Sequence, residues 1–181
     1  QVGGIAGVNA GRIESCTFSG IVMGGDYVGG IAGQNEAGGT ISDCRTSGAV
    51  RGSQFTGGIA GRNSGTLLRC TNTAAVNTAV SEDDMETDLE NVESTLYNLL
   101  KREDVTESAV TTDTGGIAGY SNGILQSCTN TGAVGYPHVG YNVGGISGRQ
   151  NGYMASCINR GAHRGADGSG YHAAILFGQP G

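Results

Sequence analysis

GGIAGQNEAGGTISDCRTSGAV, residues 29–50, is the stretch whose reading decides the fold. Its opening pentad recurs. GGIAG also stands at residues 3–7, 57–61 and 115–119, and the variant GGISG at 144–148. The starts are separated by 26, 28, 58 and 29 residues, so the long gap is one period with an insertion inside it. The rest of the unit repeats in step. Cys16, Cys44, Cys70, Cys128 and Cys157 follow the pentads. Five residues before each cysteine is a glycine, and three before it is Ile13, Ile41, Leu67, Leu125 or Met154. Six after it come Val22, Val50, Val76, Val134 and, against the pattern, His163.

Each unit holds three short β-prone pieces: one around the pentad, one carrying the apolar residue and the cysteine, and a third of the GxV type. None shows the i, i+3, i+4 stripe of a helix. A unit this short cannot bury a core alone, but stacked units can, with equivalent strands pairing in parallel at ~4.8 Å per layer. Small residues in the pentad let the backbone turn and approach closely. The repeat therefore predicts an all-β chain, a parallel β-solenoid of about five coils starting near residues 3, 29, 57, 115 and 144. A sandwich or propeller is the competing architecture, but these strands are too short and too alike. Tyr171-His172-Ala173-Ala174-Ile175 aligns with Tyr27-Val28-Gly29-Gly30-Ile31, which predicts a partial or capping coil over 170–181.

Composition agrees. Glycine supplies 35 of 181 residues, proline two, and charged residues 14%. An interior helix glycine costs about 1 kcal/mol relative to alanine, which excludes a helical bundle. Collagen needs a strict three-residue glycine period, which is absent. No apolar run approaches the ~20 residues of a membrane-spanning helix.

The pattern GGIAGxNxGxIxxCxxxGxV resembles the GLUG motif of bacterial surface proteins, a motif also found in non-catalytic parts of IgA-specific metallopeptidases. The resemblance covers nearly all of the chain except residues 80–113. It implies an extracellular, cell-surface repeat module associated with adhesion and part of a larger chain. Its expected partners are a host or bacterial surface protein or a glycan. It implies no catalytic residue, and the zinc motif HExxH of the peptidases is absent.

Residues 80–113 differ in kind. They hold 11 of the 16 acidic residues and two basic ones, a net −9, against +3 for the remainder. Met85, Leu89, Val92, Leu96 and Leu99 are spaced as one apolar helical stripe. Ser81 and Asp84 fit a capping box, and Lys101 and Arg102 suit the C-terminal end of the dipole. The expectation is an acidic helical insert, with a helix over about 82–101. Its stripe either packs on the solenoid flank or meets a partner.

Chemistry-bearing residues each have a scaffold explanation. The cysteines recur at the repeat period and lack zinc-ligand spacing, which predicts a buried thiol ladder. Disulfides between neighbouring coils are the alternative, and the redox state stays open. Asn9, Asn35 and Asn63, with Asn122 and Asn151 one position later, predict a ladder of turn residues. His163, His172 and Asp167 are the residues a metal site would use, though His163 sits where terminal coils are commonly irregular. Outside the insert the acids are Glu14, Asp26, Glu36, Asp43 and Asp167, and no two occupy equivalent positions. A glycan-active enzyme needs a convergent carboxylate pair. Thr71-Asn72-Thr73 and Thr129-Asn130-Thr131 form a hydroxyl face in only two repeats. No P-loop and no basic track for nucleic acid is present. The sequence thus singles out no catalytic, cofactor-binding or metal-ligating residue, and it expects a non-catalytic structural or interaction module.

Overall fold

A computed structural model describes residues 1–78, 112–135, 141–164 and 170–171. They belong to one compact unit, Gln1–Thr78 with Val110–Gly181, and Ala79–Ala109 forms a second unit.

The first unit is an all-β parallel solenoid, with no helix among the described residues. Sheet 1 stacks Val2–Gly3, Asp26–Gly29, Gln54–Gly57, Thr112–Gly115 and Tyr141–Gly144. Sheet 2 stacks Ala6–Asn9, Ala32–Asn35, Ala60–Asn63, Ala118–Ser121 and Ser147–Gln150. Sheet 3 stacks Arg12–Glu14, Thr40–Ser42, Thr66–Leu68, Ile124–Gln126 and Tyr153–Ala155. Sheet 4 begins with Thr17–Met23 on Arg45–Arg51 and continues through Thr71–Asn72, Thr129–Asn130 and Ile158–Asn159. From the first stacked strand to the last, the chain winds about four turns rather than the five coils counted from the pentads.

Register follows the repeat residue for residue. Ile13, Ile41, Leu67, Leu125 and Met154 form one column. Val22, Val50, Val76 and Val134 form another. The column residues from coils two to four are fully buried. They build two apolar clusters, one around Ile31, Ile59, Ile117 and the cysteines, the other around Val28 and the valine column.

Three pieces per repeat were expected, and four strands are found. The reason is a left-handed residue just before each cysteine: Ser15, Asp43, Arg69, Ser127 and Ser156 have φ between 51° and 55°. This turn divides the second piece between sheets 3 and 4. Only asparagine, aspartate and glycine adopt that conformation readily, so serine and arginine there give little sequence signal. The pentad divides as well, but its glycines are not among those with positive φ. They are needed for close approach: a Cβ on Gly58 would strike the Asn72 side chain and the Gly116 carbonyl of the neighbouring coil.

The predicted helix at 82–101 lies outside the described residues. The stack is nevertheless continuous from one side of the insertion to the other. Ala60 pairs with Ala118, Leu67 with Leu125 and Asn72 with Asn130. Asn77, at the root of the insertion, is buried. It accepts from Gly52 N at 2.9 Å and donates to Thr114 Oγ1 at 3.0 Å, which pins the two sides together. Thr112 and Asp113, read as the end of the insert, already lie in a sheet 1 strand. At the far end, Gly170–Tyr171 pairs antiparallel with His163–Arg164. The rest of the partial or capping coil expected over 170–181 lies outside the described residues.

Candidate functional site

Polar ladders line the interior, and their geometry separates scaffold from surface. Asn9, Asn35 and Asn63 are buried. Asn9 Nδ2 donates to Asn35 Oδ1 and Asn35 Nδ2 to Asn63 Oδ1, both at 2.8 Å, and Asn63 reaches Ser121 Oγ at 3.1 Å. They also bond local backbone, as turn residues do, at Gly11 and Gly39. They are not left-handed, however, and the column passes from Asn63 to Ser121 and Gln150. Asn122 and Asn151, expected in the ladder, stand exposed beside it. An amide donates and accepts at once, so stacked asparagines satisfy one another in a dry interior.

A second amide ladder was not anticipated. Asn72 donates to Asn130 and Asn130 to Asn159, both at 2.8 Å. The equivalent positions below are Thr46 and Phe18. Phe18 touches both apolar clusters, so this column runs between them. The two threonine triplets flank it. Thr73 Oγ1 donates to Thr46 O at 2.9 Å and Thr131 Oγ1 to Asn72 O at 3.3 Å, which ties each coil to the one below.

The thiol ladder is present. All five cysteines are free; Cys44, Cys70 and Cys128 are buried, while Cys16 and Cys157 at the ends are half-buried. Each donates to the carbonyl two residues earlier, at 3.2 to 3.5 Å. Hydrogen bonds donated to neighbouring thiols, and then burial, hold Cys44 and Cys128 above the ordinary thiol range, so both are neutral.

The acids disperse. Glu14 pairs with Arg12 at 2.6 Å, and Asp43 accepts two bonds from Arg69, at 2.8 and 2.6 Å. The Arg69 guanidinium holds the Asp43 carboxyl below its usual range, but the pair is exposed and adds little stability. Asp26 and Glu36 are exposed. His138, His172 and Asp167 lie outside the described residues. Among the described residues no group of three or more His, Cys, Asp or Glu is placed to hold a metal ion.

What sequence reading missed is the corner where sheets 1 and 2 meet. Tyr27, Phe55, Asp113 and Asn142 each open a turn of the solenoid with φ between 52° and 59°. Beside them run Gln34, Arg62, Tyr120 and Arg149, the residues that follow the pentads, in one sheet 2 column. The two columns interlock with an offset of one coil. Gln1 donates to Gln34 at 2.9 Å, Phe55 meets Tyr120 edge to face at 6.0 Å, and Asp113 pairs with Arg149 at 3.0 Å. Amide meets amide, ring meets ring and acid meets base. Tyr27 also stacks on Phe55 at 5.0 Å with planes 6° apart.

Asp113 is the buried anchor of this corner, its side chain 1% exposed. It also accepts from Asn142 Nδ2 at 2.6 Å. Arg62 differs from Arg149. Its Cζ lies 5.9 Å from the Tyr120 ring centroid, as does that of Arg149, but it has no acidic partner among the described residues. Its Nε is buried without an acceptor. One legible signal existed: these are the positions where the repeats disagree. A ladder needs sameness, and a surface does not.

The GLUG motif family matches the chain at residues 1–23 and 24–51, which are the first two coils. No curated protein and no solved structure matches it. Motif and solenoid together describe a repeat-type structural module.

Proposed function

We propose that this chain, whose first two coils carry matched GLUG motifs, is a non-catalytic extracellular module of a bacterial surface protein, serving as a stalk or in adhesion. The observation that carries the reading is the unbroken register. Columns of identical residues run from coil to coil past a large insertion, so the interior is spent on holding the stack together. Such a scaffold acts by geometry, fixing the spacing of whatever its flank displays. Its expected partner is a surface protein or glycan of a host or of another bacterium.

Labelling of intact cells with an antibody raised against the solenoid tests the placement. Staining before lysis, removed by protease added outside, is the expected result. Staining that appears only after lysis contradicts it.

A further inference from the structure

We infer that the corner built by Arg62, Tyr120 and Arg149 is a binding site for a carboxylate-bearing saccharide. The inference rests on the surface-module reading for the source of that ligand, and on the structure for its chemistry.

Register places Arg62, Tyr120 and Arg149 at one position of three successive coils. The tyrosine ring therefore has a guanidinium on each side, both at 5.9 Å. Phe55 holds the ring edge to face, and Asn151 Nδ2 reaches its hydroxyl at 3.4 Å, so the platform is set before a ligand arrives. Arg149 is neutralised by Asp113, and Arg62 has no acidic partner among the described residues. Among the described residues this half-buried arginine meets an aromatic ring and no acceptor for its Nε, which leaves donors unmet. A planar fork of donors matches a carboxylate in two-point contact.

Two classes of polyanion carry carboxylates, and the corner favours the saccharide. A peptide bound to a sheet protein gains its affinity by adding a strand to an open edge. Arg62 and Tyr120 stand on sheet 2 strands that are paired on both sides, so neither offers such an edge; only Arg149 stands on the last strand of the sheet. A sugar needs no such edge. Its hydroxyls take hydrogen bonds from arginine and tyrosine.

The test is calorimetric titration of the 181-residue protein with trigalacturonate, sialyllactose, neutral galactotriose and a hexaglutamate peptide. Saturable binding of at least one acidic sugar, and none of galactotriose, is expected. Arg62→Ala weakens it at least tenfold without moving the unfolding midpoint, because Arg62 has no ion-pair partner to orphan among the described residues. Arg62→Lys retains charge without the fork and falls between. Absence of saturable binding to both acidic sugars, undiminished binding by Arg62→Ala, or equal affinity for hexaglutamate overturns the inference. The surface reading fails separately. A protein labelled on intact cells that binds no acidic sugar sinks only the saccharide site, and one that binds the sugar but labels only after lysis sinks only the placement.

Discussion

Replacing Leu67 by alanine is expected to lower unfolding stability by about 2–5 kcal/mol. Leu67 is fully buried in the middle coil, with Ile41 in register on one side and Leu125 on the other. Loss of its side chain opens a gap that the neighbours cannot close. Both are strand residues held in register by the sheet 3 ladder, so collapse would break inter-coil hydrogen bonds. Met154→Ala removes a similar volume from the same column. It is half-buried at the end of the stack and costs clearly less. Urea unfolding of the two variants measures the difference. Equal costs would mean that the column is not a continuous core.

Asn72→Ala is expected to cost about 1–3 kcal/mol, through polar groups left without partners. Asn72 donates to Asn130 Oδ1 at 2.8 Å and to Ala74 O at 3.0 Å, and its own Oδ1 accepts from Ala74 N at 3.1 Å. Truncation orphans all three in a region closed to water. Asn72→Thr is expected to cost less, because the coil below already carries Thr46 there. The same urea titrations read this out. A threonine variant as damaged as the alanine one would show that a ladder amide cannot be replaced by a hydroxyl.

The two ladders show where sequence is legible and where it is not. Identity at a fixed period is a direct statement about stacking, so the parallel sheets, the valine and leucine columns and the thiol ladder could be read from spacing alone. The direction in which a side chain points was harder. Asn9, Asn35 and Asn63 read as turn residues because asparagine favours turns, and they do bond nearby backbone, but their amides face inward and bond one another. Asn72 and Asn130 sit inside threonine triplets, where two hydroxyls hide the inward residue between them, and Asn159 stands between Ile158 and Arg160 with no such triplet to mark it. The turn before each cysteine escaped notice because Ser15 and Arg69 carry no propensity for a left-handed backbone. The corner of Phe55, Tyr120, Asp113 and Arg149 escaped for a different reason. Its residues do not repeat, and their pairing depends on an offset of one coil that only the register reveals. Asp113 was counted among the insert acids because charge bookkeeping sees sequence neighbours, whereas its partners Asn142 and Arg149 lie 29 and 36 positions onward.

Continuity of the stack past the insertion is most directly tested by deleting residues 82–110 in favour of a short turn and following unfolding in urea by far-ultraviolet circular dichroism. Paired columns such as Leu67 with Leu125, and the Asn77–Thr114 clasp at the root, predict a folded β-protein with one cooperative transition. A variant that lacks that transition would show that the insertion is part of the core, and would contradict a solenoid that closes on its own.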